Sequence, residues 1–176
     1  MAGIVKLLES EITTGVTTVL LDNVFNDTYD VYMIKGVNIG VATDNKTLQM
    51  RLVLDDGTVN ANGAYNTSKL LIADSSTTIS RLETVDQTQF YVSRVGMGTG
   101  TDEYTNIIIY LFNTRGTEYT NIITIGSTLD YNADLKFERG QGYHERNEQI
   151  RGVRFQTDSG VNLDNGKFVV YGFKKS

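Results

Sequence analysis

Turn chemistry punctuates this chain roughly every 10–15 residues, and no stretch between two turns sustains a helical period. That rhythm restricts the fold more than any motif does. "TLQMRLVLDDG" shows the unit. Leu48, Met50, Leu52 and Leu54 fall on one side, and Gln49 and Arg51 on the other. Side chains of a strand alternate between faces, so this segment has a dry side and a wet side. Asp56-Gly57 ends it with a residue that tolerates the positive φ of a tight turn.

The same reading applies along the chain. "VTTVLLDNVF" is β-branched and turns at Asp22-Asn23. "YDVYMIKGVNI" sets Val31, Met33 and Lys35 against Tyr32 and Ile34. "YNTSKLLIADSSTT", "TQFYVSRVG" and "LKFER" supply further strands. The clearest hairpin pairs Ile107–Phe112 with Tyr119–Ile125 across Asn113-Thr114-Arg115-Gly116. The pentad "YTNII" opens both arms, at Tyr104 and Tyr119, but two copies are too few for a repeat architecture. The expected fold is therefore all-β: an antiparallel β-sandwich, jelly-roll-like, in one domain over residues 16–176. Residues 1–15 are ambiguous. Ile4, Leu7, Leu8 and Ile12 have the spacing of a short helical turn, and the same segment reads equally well as an extended arm docked on a neighbour.

Composition supports this class. Ten tyrosines and 17 glycines suit sheet faces and tight turns, and proline is absent. A net charge of −5 with scattered Lys and Arg argues against a nucleic-acid partner. The lone basic pair Lys174-Lys175 reads as a solvated tip. Without cysteine there is no disulfide or thiolate metal site, which points to a reducing compartment. "MAGIVKLLES" lacks the apolar core of a signal peptide, and no apolar run reaches the ~20 residues of a membrane span.

The candidate chemistry dissolves on inspection. His144, the only histidine, lies in "GQGYHERNEQ", which reads as a solvated polar loop without triad or metal partners. Gly96, Gly98 and Gly100 lead to Asp102-Glu103 and a strand, where a phosphate loop would need Lys-Ser/Thr and a helix; they read as a flexible connector. Asp22, Asp27 and Asp30, with Asn23 and Asn26, lack calcium-loop spacing and read as turn residues. Asp55-Asp56 reads as a turn rather than a glycosidase pair, because adjacent strand residues point apart. No catalytic, cofactor-binding or metal-binding residue is assigned, and no cofactor or enzymatic activity is expected. Tyr65, Tyr91, Tyr104, Tyr119, Tyr131 and Tyr143 fall in or beside loops and strand ends, as interface anchors or plain sheet packing. The polar stretches Asp55–Ser68 and Gly96–Glu103 look like end loops, where β scaffolds carry binding sites.

Two stretches together resemble a known family. "VFNDTYDVYMIKGVNI" (Val24–Ile39) resembles the N-terminal strand pair of small β-rich virion proteins of tailed bacteriophages, notably marine and cyanobacterial ones, with an aromatic before a Thr-Tyr-Asp-x-Tyr core. "IRGVRFQTDSGVNLDNGKFVVYGF" (Ile150–Phe173) resembles their C-terminal hairpin, in which Ser-Gly and a polar turn precede a last strand ending Tyr-Gly-aromatic. The resemblance implies a non-enzymatic virion protein: a capsid decoration subunit or small tail accessory, assembled in the host bacterial cytoplasm. It further implies a homotrimer whose partners are major capsid or tail proteins. The alternative it implies is a tail-fibre module that holds a host surface glycan through end loops and tyrosines; a polysaccharide hydrolase is a third, remoter possibility.

The final strand carries its own expectation. Phe168, Val170 and Gly172 share one face, and Val169, Tyr171 and Phe173 the other. A strand apolar on both faces belongs in a sheet interior or under another subunit.

Overall fold

The computed structural model describes residues 3–174, all strand, turn and loop. Twelve strands follow in chain order: β1 (Ile4–Ile12), β2 (Thr18–Leu21), β3 (Tyr29–Val41), β4 (Lys46–Leu54), β5 (Tyr65–Ala73), β6 (Ser80–Gln87), β7 (Phe90–Met97), β8 (Thr105–Phe112), β9 (Thr120–Leu129), β10 (Leu135–His144), β11 (Ile150–Thr157) and β12 (Leu163–Lys174). They form an antiparallel sandwich of two unequal sheets. The large sheet runs β1-β12-β3-β8-β9-β10-β5-β6, and the small one β2-β11-β4-β7. Sandwich and antiparallel pairing are as the strand rhythm predicts.

Between the sheets lies the core that the alternating segments encode. Leu48, Met50 and Leu52 of β4 are fully buried, as are Tyr32 and Ile34 of β3 and Ile109 and Leu111 of β8. Phe155 of β11 stacks on Phe168 of β12 with ring centroids 4.1 Å apart and an 8° interplanar angle, joining the two sheets. The last strand is interior to the large sheet, paired with β1 on one side and β3 on the other. Its one face buries Phe168 and Val170 completely, as expected.

The start of the chain is a strand, not a helical turn. β1 pairs antiparallel with β12 from Ile4 opposite Phe173 to Ile12 opposite Gly166. A register shift between Lys6 and Leu8 inserts one residue into this edge strand. The bulge explains the helix-like spacing: an extra residue puts Leu7 and Leu8 both on partly buried positions and breaks the period of two. Residues 4–12 therefore dock on their own chain and belong to the sheet. Lys175 of the basic tip lies outside the described residues; Lys174 ends β12, and its N–H donates to Gly3 O.

Turns fall where turn chemistry stands. Gly57 has φ +87° in the turn after β4, where Asp56 accepts a hydrogen bond from the Thr58 N–H. Gly166 has φ +104° at a register shift in β12. The two end loops point to opposite ends of the sandwich, because β4 and β7 are antiparallel neighbours and each loop follows its strand. They therefore cannot combine into one site.

Candidate functional site

The large sheet is built from two unlike halves. Beneath β12, β3 and β8 its inner face is dry, with Phe168, Val170, Ile34, Ile107 and Ile109 buried. Beneath β9, β10 and β5 it turns polar: Thr124, Glu138, Lys69 and His144 are all at most 3% exposed. Lys69 and Glu138 face each other with nitrogen and oxygen 4.0 Å apart. The Lys69 ammonium donates to Val92 O at 2.6 Å and to Thr124 Oγ1 at 3.3 Å. The Glu138 carboxylate accepts from Ser93 Oγ and from the Arg94 N–H at 3.0 Å. Burial pushes Lys69 below the ordinary lysine range, opposed by the charge of Glu138. Gly140, on β10 beside it, makes the room: a Cβ there would fall 2.5 Å from Lys69 Cγ.

His144 overturns its expected exposure. It ends β10, faces inward and is fully buried. Its ring packs against Tyr65 at 4.8 Å between centroids, and Nε2 lies 3.0 Å from Asn60 Nδ2. Asn60 Nδ2 also donates to Glu148 Oε2 at 2.6 Å, and Tyr65 OH bonds Asn60 O at 3.2 Å. Burial, seconded by the charge of Arg146, lowers the His144 pKa to about 4, so the imidazole is neutral at pH 7. The cluster ties the loop after β4 to the loop after β10. "GQGYH" reads as a loop because of its glycines. They stand inside a strand because neighbours occupy the space of a side chain: at Gly142 a Cβ would lie 2.6 Å from Phe90 Cε2.

The remaining candidates resolve into structural roles. Asp22 forms a two-pronged pair with Arg151, at 2.7 and 2.6 Å, and this bond holds its carboxyl below the usual range. Asp27 and Asp55 both meet Arg115. Asp22 and Asp27 are thus directed to two arginines on different elements. Among the described residues no group of three or more acidic or histidine side chains is arranged to hold a metal. The Gly96–Gly100 connector is tied down rather than loose. Thr99 donates its N–H and its hydroxyl to Asp44 at 2.7 and 2.8 Å, and the Gly100 N–H donates to Glu103 at 2.8 Å.

What remains for function is the outer face of the large sheet. Register places its side chains in rows. Phe173, Val31 and Phe112 form one row across β12, β3 and β8, and Tyr171, Met33, Tyr110 and Ile123 the next, reaching β9. The following row, Val169, Lys35, Ile108 and Ile125, sets one lysine among apolar side chains, and this half is only partly covered. Toward the edge, β1 contributes Lys6, Glu9 and Glu11, with Lys6 and Lys167 both paired to Glu9. On the other side the rows continue as Asn121–Tyr143–Asn66 and Ile123–Gln141–Ser68–Glu83 over β9, β10, β5 and β6. Here the face is concave: a groove of about 500 Å³ has Gln141, Asn121 and Ser68 on its floor and Glu83 and Val85 along β6.

Tyr119 and Tyr143 stand together at one end of that groove, rings 6.0 Å apart and parallel to 3°. The other tyrosines do not join them. Tyr65 is core, Tyr91 lies under Arg94 at 4.3 Å on the small sheet, and Tyr131 packs near Gly96 and Gly98 at the opposite end of the sandwich. Tyr104, just before β8, lines a small hollow beside that end's Gly98–Thr101 loop. Comparison with known proteins finds no family model and no curated protein that matches this chain.

Neither the apolar half nor the groove is visible as a motif. The groove's residues come from four strands separated by up to 77 positions, from Asn66 to Tyr143. The apolar half had one sequence signal, the doubly apolar final strand, and Val31, Met33, Tyr110 and Phe112 complete it only once strand order is known.

Proposed function

We propose that this chain is a structural subunit of a tailed-phage virion, a capsid decoration protein or small tail accessory that binds by surface contact and catalyses nothing. The reading carries with it a jelly-roll-like description of the fold, in which the chain switches sheets at most of its connections. The observation that supports the functional reading is the apolar half of the outer face. A partly exposed field of Val31, Met33, Tyr110, Phe112, Tyr171 and Phe173 is larger than scattered surface apolar residues require. Its border on β1 is charged, with Lys6, Glu9 and Glu11. An apolar centre with a charged border is the anatomy of a protein–protein interface.

The occupant of that face in this reading is another copy of the chain, making the homotrimer that then sits on capsid or tail protein. Sedimentation of the purified chain tests the first step. A trimer is expected, and Met33→Lys or Ile108→Lys is expected to give a folded monomer. A wild-type chain that stays monomeric at high micromolar concentration refutes self-association through this face. Labelled protein imaged on intact particles tests the second step; absence from the particle ends the virion reading.

A further inference from the structure

We infer that the concave half of the outer face is a carbohydrate-binding groove for a neutral glycan chain. The groove lies beside the apolar field and shares only Ile123 with it, so either surface can fail alone.

Three features of the groove carry it. The first is shape. The 500 Å³ hollow shares Asn121 and Tyr143 with a second hollow of about 370 Å³ beneath Tyr119. In the other direction it shares Ser68, Ile123 and Gln141 with a third, of about 350 Å³, at Arg81 and Arg139. The result is an open trough running diagonally over β9, β10, β5 and β6, on the order of 14 Å wide at ordinary strand spacing. An open trough suits a length of polymer; an enclosed pocket would suit a small molecule.

The second is idle hydrogen-bonding capacity. Asn66 is 9% exposed; its Oδ1 accepts from the Asp86 N–H at 3.3 Å, but its Nδ2 has no partner. A buried unpaired amide donor costs on the order of 1–3 kcal/mol and asks for an explanation. Gln141 and Ser68, in the adjoining row, project from a sheet face where the strand backbone is already paired. Amides present a donor and an acceptor together, which is the complement of neighbouring sugar hydroxyls.

The third is the aromatic end. Tyr119 is 47% exposed and lies parallel to Tyr143. Tyr143 OH is held by Glu145 Oε1 at 3.2 Å, fixing the ring. Fixed rings beside amide and hydroxyl groups offer an apolar platform for the C–H face of a pyranose and polar contacts for its rim. Charge selects among glycans. Arg81 pairs with Glu83 along the trough, and Arg139 and Glu118 lie toward its two ends, so the lining carries no excess charge of either sign and suits a neutral chain.

The test is affinity electrophoresis of the full chain through gels containing mannan, dextran or laminarin as neutral probes and alginate as the acidic one, followed by titration calorimetry with any neutral polymer that retards it. Retardation by at least one neutral polymer is expected, with or without a weaker effect of alginate. Gln141→Ala and Tyr119→Ala should each weaken that binding at least tenfold without moving the melting temperature, whereas Val31→Thr on the apolar half should leave it unchanged. No retardation by any neutral polymer overturns the inference, as does retardation by alginate alone. Wild-type binding in both groove variants overturns it as well.

Discussion

The two halves of the large sheet differ on both faces at once. Over β12, β3 and β8 the sheet is apolar inside and, apart from Lys35, outside; over β9, β10 and β5 the inner face turns polar, and the outer face passes from the polar groove to exposed Ile125, Phe137, Leu70 and Ile72. The small sheet explains the inner difference. Its strands β2, β11 and β4 supply Val19, Leu21, Leu48, Met50 and Phe155 to the dry half. The other half is covered mainly by the edge strand β7, which contributes buried Phe90 and Val92 and also the carbonyl of Val92, the N–H of Arg94 and the hydroxyl of Ser93. Where the second layer thins, an ion pair and hydrogen bonds are buried beside the apolar contacts of Tyr65, Phe90, Val92 and Ile122. One half therefore owes its stability to area removed from water, and the other in part to the hydrogen bonds that hold the Lys69–Glu138 pair.

Removing the centre of the dry half should have the largest effect. Deleting Val169–Ser176 takes away most of the strand that holds both β1 and β3, with Val170 fully buried. Large-to-small changes at single buried sites cost about 2–5 kcal/mol each, comparable with the whole stability of a domain when several are lost. The truncated chain is expected to be insoluble or unfolded. A soluble product whose melting temperature matches the full chain would show that the dry half is not what holds the sandwich.

Breaking the polar half is the next test. Glu138→Gln leaves the Lys69 ammonium buried among a carbonyl and a hydroxyl, without its counter-charge. The expected loss is about 3–5 kcal/mol by urea denaturation. Lys69→Met combined with Glu138→Leu should recover part of it, because no charge is left buried, although Val92 O and the Arg94 N–H lose their partners. A single Glu138→Gln change without measurable cost would mean that the pair is incidental, and that the two halves are held alike.

His144 sharpens the comparison through pH. Its pKa is about 4 in the folded chain and ordinarily about 6.5, so the unfolded chain binds the proton first. Stability is then fully retained above pH 6.5 and falls as pH drops toward 4, by up to about 1.4 kcal/mol per unit. His144 is the only histidine, so His144→Gln should flatten the slope across that window, whatever it does to stability at pH 7. Equal slopes in wild type and variant would show that the imidazole is charged in place.

The same contrast decides what the sequence can reveal. The dry half is legible because its chemistry repeats with the strand period: Tyr32 and Ile34, Ile107 and Ile109, Phe168 and Val170. The polar half is illegible because its partners are remote. Lys69 and Glu138 are 69 positions apart and look like ordinary surface charges. Gly140 and Gly142 look like loop residues until Lys69 and Phe90 are seen beside them. His144 was concealed by the same two glycines, and β1 by its bulge. Local pattern reports local geometry; a polar core and a groove assembled from four strands are statements about strand order, which no local pattern contains.

The smallest effects belong to the outer face of the isolated chain. Val31→Thr on the apolar half replaces a methyl by a hydroxyl that can reach water, and Gln141→Thr on the groove half shortens an exposed side chain. Surface changes away from buried networks usually stay within about 0.5 kcal/mol. Both variants are expected to melt within a degree or two of wild type under conditions where the chain is monomeric. At concentrations where wild type associates, Val31→Thr should melt below wild type and lose part of its dependence on dilution, whereas Gln141→Thr should follow wild type, if the apolar half is the contact surface proposed above. Identical dilution behaviour in the two variants would remove the apolar half as a contact surface and leave its exposed side chains without a physical reason.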